Sequence, residues 1–268
     1  KTLPEYHQEI IIDTIKNIGR GMGEYAIRDL TSGTIDRQDF EIYNNLLAGE
    51  LGIGLTKQFI GTNLEANSMS PQTFSLALKL GSFINKTNII RDYYKDLLKN
   101  KSFWPREVWS LYRKTLPELR FGESSDVACL NHMITDALED IPLCIEYLSK
   151  IQNPNVFRFC AIPQIKSLAI LAEAYGNRNV FTGIIQIRKG LYASILNNCN
   201  KVKINSQDIT YGDIFLALPG NSCHGSIFIK DVISKCGLFI SSVRAGEDQD
   251  WIVRVKLHNN SCRVNLHL

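Results

Sequence analysis

What this chain lacks bounds it first. No apolar run reaches the ~18 residues that a membrane-spanning helix needs. The seven cysteines are dispersed, without a C-x-x-C pair or a histidine at metal-site spacing. That pattern argues against a structural zinc site and for reduced thiols packed as small apolar residues. No block of lysine or arginine appears, and the net charge of +3 is too slight to argue for nucleic acid. Internal repeats and low-complexity segments are missing, as is a G-x-x-x-x-G-K-[ST] loop for ATP. No signal peptide is recognised, because Lys1-Thr-Leu-Pro leads directly into an amphipathic segment. What remains is ordinary globular composition: 268 residues, 44% hydrophobic and 21% charged, enough for one large domain or two smaller ones.

Two grammars divide the chain. Residues 1–199 read as helices of ordinary length, broken at Thr31-Ser-Gly, Gly61-Thr-Asn, Asn100 to Pro105, Gly122-Glu-Ser-Ser and Asn153-Pro. Ile11, Ile15, Ile18 and Met22 step by four, three and four, which predicts one buried face. Ile134, Ala137, Leu138, Ile141, Ile145 and Leu148 predict another around Pro142, a residue expected to kink its helix. Ala161–Ala174 reads as a third apolar helix.

The chemistry concentrates in N-K-T-N-I-I-R-D-Y-Y-K-D. Asn85, Asn88, Asp92 and Asp96 stand at offsets of zero, three, seven and eleven. At about 100° per residue they share an arc of roughly 80° on a helix. Leu76, Leu80, Phe83, Thr87, Ile90 and Tyr94 form a mainly apolar stripe elsewhere on the same helix. Two carboxylates one turn apart, flanked by amides, suit Mg²⁺, which usually bridges a few carboxylates to substrate phosphates. The same pair also occurs on plain solvated helices, where like charges cost only a few tenths of a kcal/mol.

K-T-N-I-I-R-D-Y-x-x-D, followed by F-W-P-x-E-V-W at Phe103–Trp109, resembles the squalene synthases. So do Y-N-N-L-L-A-G-E-L-G-I-G-L at Tyr43–Leu55, V-F-R-F-C-A-I-P-Q at Val156–Gln164 and I-R-K-G at Ile187–Gly190. The likeness runs from about residue 4 to 199 and implies a mainly α, truncated all-helical isoprenoid-synthase fold. It implies head-to-head condensation of two farnesyl diphosphates through presqualene diphosphate, with Mg²⁺ and NADPH as cofactors. Asp92 and Asp96 would hold the metal, and Asn88 and Arg91 would bind diphosphate. Tyr43 and Phe159 would serve the carbocation steps, and Asn88, Arg188 and Lys189 would bind NADPH. Phe103-Trp104-Pro105 is expected to form a turn at the cavity mouth, with Trp104 structural.

The closely spaced Gly49, Gly52 and Gly54 each cost a helix ~1 kcal/mol relative to Ala. They mark a close neighbour, either another helix or a prenyl chain. The resemblance also implies a first aspartate-rich wall, whose spacing Asp13, Asp29, Asp36 and Asp39 do not reproduce. Activity is therefore expected to be impaired. A phytoene-synthase-like enzyme and a non-catalytic isoprenoid-diphosphate-binding fragment stay open as alternatives. No membrane anchor of the kind eukaryotic squalene synthases carry is recognised, so a cytoplasmic or membrane-peripheral location is expected.

From about residue 200 the pattern changes without a Pro/Gly/Ser linker, as if two unlike segments were joined. Residues 200–245 read as a small α/β segment, with Ile227–Lys235 helical and Leu238–Val243 a strand. I-N-S-Q-D-I-x-x-G-D-I-F-L-A-L resembles the N-terminal domain of UDP-N-acetylmuramoyl amino-acid ligases, which would imply uridine-nucleotide binding. Gln207 and His224 depart from that family's pattern. Residues 246–268 form an unassigned tail.

Overall fold

The computed structural model describes residues 3–65, 70–201, 239–245 and 251–256. Its described body up to residue 201 is helical, and the predicted breaks all fall at helix ends or between helices. Helix α1 spans Glu5–Ala26. Helix α2, Arg37–Asn44, runs through a π-helical turn at Asn45–Gly49 into α3, Glu50–Gly61. Helix α4, Pro71–Arg91, is followed after one residue by the short α5, Tyr93–Leu97. Then come α6, Arg106–Trp109; α7, Ser124–Leu138; α8, Ile141–Lys150; α9, Pro154–Ala174; and α10, Lys189–Lys201.

Local sequence explains where several of these begin. The Asp36 side chain accepts from the Asp39 N–H at 2.7 Å, satisfying one of the free donors at the start of α2. Glu123 and Asp126 form a reciprocal capping box on α7. Asn153 caps α9, with Pro154 in its first turn, where a missing N–H costs nothing. Pro142 occupies the same position in α8. The single kinked helix expected around Pro142 is thus two helices, with the chain turning at Glu139-Asp140.

Helix α4 is the centre. It packs against α2, α3, the π-helical turn, α7, α8 and α9. The contacts with the π-helical turn and α3 are very close: a Cβ on Gly81 would stand 1.9 Å from the Ala48 carbonyl oxygen in the turn, and one on Gly52 of α3 would stand 2.2 Å from that of Ala77. The glycine spacing therefore reflects helix-on-helix packing. Leu76, Leu80, Phe83, Thr87 and Ile90 are buried as expected, and each fully buried large apolar side chain contributes about 1.5–3 kcal/mol.

The stripe does not continue to Tyr94. The helix breaks at Asp92 (φ −92°, ψ 8°), and Tyr93 turns inward instead, 1% exposed. Its ring meets Trp104 at 4.3 Å and Phe181 at 5.7 Å, and its hydroxyl donates to the Leu116 carbonyl at 3.2 Å.

Helix α1 overturns an expectation. Ile15 is 63% exposed and Met22 55%, while Ile10, Gly21 and Tyr25 are buried. The packed face is small and polar because α3 comes close. Thr14 sits against Gly54, Gly21 against Leu46, and Asn17 donates to Glu50 at 3.0 Å.

Strand β1, Phe239–Ala245, overlaps the expected strand and pairs antiparallel with β2, Trp251–Lys256. The pairing has an irregularity between Ile240 and Ser242. Strand β2 falls in the tail left unassigned from sequence, where W-I-V-R-V-K carries the short β-branched alternation of a strand. The expected elements at residues 202–238 lie outside the described residues.

Candidate active site

Tyr43 sits in the last turn of α2, immediately before the π-helical turn, an irregularity often found at functional sites. Its ring stacks on Phe103 at 4.4 Å with 14° between planes and is tilted against Tyr25 at 4.7 Å. Tyr25 is fixed in turn. Its hydroxyl donates to Asp39 Oδ1 at 2.6 Å, and the Arg28 guanidinium donates to the same oxygen at 2.7 Å while lying over the Tyr25 ring at 4.1 Å. Burial, reinforced by the negative charge of Asp96, pushes the Tyr43 phenol up to about 12. The phenol is therefore neutral near pH 7. Among the described residues its hydroxyl makes no hydrogen bond.

The Asp96 carboxyl is raised above the ordinary carboxylate range by burial and then by the negative charge of Asp92. The helix break leaves the row intact, because the Asp92 N–H still donates to the Asn88 carbonyl at 2.8 Å and the Asp96 N–H to that of Asp92 at 3.0 Å. The acids differ in their partners. Arg91 clamps Asp92 with two donors, Nε to Oδ1 at 2.9 Å and an Nη to Oδ2 at 2.7 Å. Asp96 makes no ion pair among the described residues. Asn88 is half-buried one turn before Asp92. Asn85, in the same row, is committed to Asn44 at 2.9 Å inside a helix contact.

No group of three His, Cys, Asp or Glu side chains suited to a metal occurs among the described residues. Two carboxylates with a neighbouring amide oxygen fit a magnesium ion that takes its other oxygens from water and diphosphate.

Asp92 also lines a cavity of about 470 Å³. Arg91, Lys95, Lys166 and Lys189 bring positive charge to it, and Tyr192 and Ile170 line it further. Of the residues expected to bind NADPH, Lys189 lines this cavity, while Arg188 is exposed at the start of α10 with its carbonyl accepting from the Tyr192 N–H at 3.1 Å. Phe159 is 56% exposed, and its ring partner is Phe59, edge-on at 5.9 Å. Trp104 is fully buried, while Phe103 beside it reaches Tyr43.

Sequence reasoning missed two groups. Lys95 and Lys166 join the cavity, and the available signal for Lys166 was a lone cation in the apolar run A-I-P-Q-I-K-S-L-A-I-L. Lys86, 3% exposed, donates to Asp140 at 2.6 Å and also pairs with Glu41. Lys79 joins Glu41 at 2.5 Å and Asp140 at 3.5 Å, completing a network across α2, α4 and the α7–α8 turn.

The sequence profile of the squalene/phytoene synthase family matches residues 1–190. The chain belongs to the squalene/phytoene synthase family. It is 38% identical to mouse squalene synthase over 239 residues, covering 88% of this chain and 56% of that protein. It is 41% identical to human squalene synthase over 198 residues, covering 73% and 46%, and 35% identical to Arabidopsis thaliana squalene synthase 1 over 226 residues, covering 82% and 52%. The chain thus spans about half the length of these relatives. The solved structure of TcSQS with the ligand E5700 superposes with a TM-score of 0.71 at 28% identity, covering 88% of this chain and 70% of that one. The helical architecture is that of the family. No helix among the described residues is long and apolar enough to cross a membrane.

Proposed function

We propose that the chain acts as a squalene-synthase-type prenyltransferase, joining two farnesyl diphosphates through presqualene diphosphate and reducing the product with NADPH. The observation that carries this reading is the row of Asp92 and Asp96 one helical turn apart, together with Tyr43, which is held between two aromatic rings. The names of the relatives support the same reaction. Asp92, Asp96 and the Asn88 amide oxygen would hold magnesium, which when bound offsets the charge of the departing diphosphate.

The residues then divide the work. The C–O bond of one farnesyl diphosphate breaks and the diphosphate leaves with the electron pair. The allylic cation is captured by the double bond of the second chain, and loss of a proton closes the cyclopropane. Tyr43, as a neutral phenol, offers the cation its π face and oxygen lone pair, and it accepts a proton only while giving up its own. Tyr25 and Phe103 hold that ring in place. Arg91 binds diphosphate oxygens once it is drawn from Asp92. Phe159 serves the later cation, and Asn88, Arg188 and Lys189 bind NADPH, which supplies hydride. The apolar product favours work at a membrane surface.

The test is calorimetric binding of a non-hydrolysable farnesyl diphosphate analogue with and without Mg²⁺, comparing the chain with Asp92→Ala/Asp96→Ala. Binding that needs both metal and carboxylates supports the reading, and product length then separates squalene from phytoene chemistry. A folded chain that binds nothing refutes it.

A further inference from the structure

We infer that Asp39 and Tyr25 are positioning residues for Tyr43: the Asp39 carboxylate fixes the Tyr25 ring, and that ring sets the orientation of the tyrosine that meets the carbocation. The inference rests on the reading of Tyr43 as a cation-stabilising residue and adds two residues to which the sequence signatures gave no role. Asp39 does not fit an aspartate-rich wall by its spacing, and the structure gives its carboxylate a different task.

Asp39 and Tyr43 stand four residues apart on α2, one helical turn, so their side chains lie on the same side of it. Tyr25, buried in the last turn of α1, bridges that turn. Its hydroxyl donates to Asp39 Oδ1 at 2.6 Å, with the Asp39 carbonyl oxygen at 3.0 Å as a second acceptor, and its ring meets that of Tyr43 at 4.7 Å. A buried hydroxyl that left the carboxylate would strand a donor away from water, which ties the ring to its place.

The carboxylate is itself immobilised. Oδ1 also accepts from Arg28 at 2.7 Å, and Oδ2 accepts from the Ile35 N–H at 3.0 Å across the α1–α2 loop. Burial raises the Asp39 carboxyl, but the hydrogen bonds from Tyr25, Ile35 and Arg28 outweigh it and hold it below the usual carboxylate range. It is therefore an ionised acceptor at neutral pH. The Arg28 guanidinium also lies over the Tyr25 ring at 4.1 Å, a second restraint on the same side chain.

Tyr43 depends on such restraint. Its own hydroxyl makes no hydrogen bond among the described residues, so its ring neighbours set its orientation. Of those two rings Phe103 is apolar, and Tyr25 is the one tethered through its side chain. Orientation matters because an aromatic ring attracts a cation with its face and repels it with its edge.

The experiment compares two ligands by calorimetry in Mg²⁺. One is farnesyl thiodiphosphate; the other is a farnesyl diphosphate analogue carrying an ammonium where the allylic cation forms. The full chain is compared with Tyr25→Phe, Asp39→Leu, Asp39→Asn and Glu24→Gln, each checked for native helix content. Tyr25→Phe keeps the ring and removes only its tether. It is expected to cut the preference for the ammonium analogue about tenfold, as loss of a desolvated cation–π contact does, and to leave thiodiphosphate affinity within about twofold. Asp39→Leu is expected to do the same, and the double variant to be no worse than either single one, because Asp39 acts through Tyr25. Asp39→Asn keeps an oxygen for the hydroxyl and is expected to retain most of the preference. Glu24→Gln removes only the exposed second partner of Arg28 and is expected to change nothing.

An unchanged preference in Tyr25→Phe, additive losses in the double variant, or equal weakening of both ligands overturns the inference. So does a loss in Asp39→Asn or Glu24→Gln as deep as that in Asp39→Leu. A fluorine on the Tyr43 ring reads its orientation without ligand: Tyr25→Phe and Asp39→Leu are expected to shift or split the resonance, and Asp39→Asn to leave it near its native place. An unmoved resonance in Tyr25→Phe refutes the positioning. A folded chain that binds neither ligand refutes the prenyltransferase reading alone, and the fluorine signal still decides whether Asp39 and Tyr25 orient Tyr43.

Discussion

Helices α1 and α4 have nearly the same length, 22 and 21 residues, and opposite relations to the molecule. Helix α4 buries eleven residues, four of them polar or charged (Thr73, Ser82, Lys86 and Thr87). Helix α1 buries only Ile10, Gly21 and Tyr25 and leaves Ile11, Ile12, Ile15 and Met22 exposed. The difference shows that apolar periodicity locates a buried face only when that face is packed by large side chains. On α1 the contact is made by glycine backbone meeting small or flanking side chains, Thr14 on Gly54 and Leu46 on Gly21, which favours Gly and Thr. On α4 most directions are occupied, so even a lysine is buried, provided that carboxylates meet it.

The largest expected effect tests that buried charge. Lys86→Ala leaves Asp140, 5% exposed, without its principal partner, and breaking a buried pair from one side typically costs about 3–5 kcal/mol. Lys79, already 3.5 Å from Asp140, compensates in part and places the loss at the lower end. Denaturant unfolding checks it. A Lys86→Met/Asp140→Leu double variant is expected to recover most of the loss, because no charge is then stranded.

A second variant tests the close approach at α4. Gly81→Ala gains ~1 kcal/mol of helix propensity. Its new Cβ would sit 1.9 Å from the Ala48 carbonyl oxygen, so the π-helical turn and α4 must separate. Overpacking costs of about 1–3 kcal/mol, occasionally more, decide the sign. Net destabilisation of about 1–2 kcal/mol is expected in a thermal melt, and a stabilised protein would show that the helices are less constrained than this contact implies.

The third effect is smaller and depends on pH. Asp96 has its folded-state pKa raised, so the folded chain binds the proton more readily than the unfolded chain does. The destabilisation it causes is present above the folded pKa and is relieved as pH falls through that value. Asp96→Asn is therefore expected to raise the melting temperature slightly at neutral pH, with the gain disappearing in acid. Magnesium-dependent binding runs the other way, since it needs the ionised acid and fades as pH falls through the same value. A melting-temperature gain that does not change with pH would contradict the burial of Asp96 against Asp92.

The same contrast explains what could be read from the sequence. The α4 stripe was legible because Leu76, Leu80, Phe83 and Ile90 meet large neighbours. The acidic row was legible because its spacing survives a break that keeps the i,i+4 hydrogen bonds. The break itself was not, since the inward turn of Tyr93 depends on Trp104 and Phe181, which are distant in sequence. Pro142 gave a correct signal of interruption but not its kind, because proline both kinks helices and starts them. Lys166 and Lys95 could not be assigned from spacing. They share a cavity only because α9 and α10 fold back beside the end of α4.

The smallest expected effect is the most direct test of the α1 reading. Ile15→Ser replaces a residue that is 63% exposed by one of similar helix propensity. Its stability change is expected to lie within about 0.5 kcal/mol, as for other surface positions. Tyr25→Ala on the same helix is expected to cost about 3 kcal/mol, through the cavity it leaves, a lost aromatic contact with Tyr43 and a lost hydrogen bond to Asp39. Urea unfolding at two protein concentrations separates the outcomes. If Ile15→Ser costs more than 1 kcal/mol and the cost grows with concentration, the apolar side of α1 is covered by another copy in solution. If the cost is large and independent of concentration, the packing of α1 through Thr14, Asn17 and Gly21 is wrong.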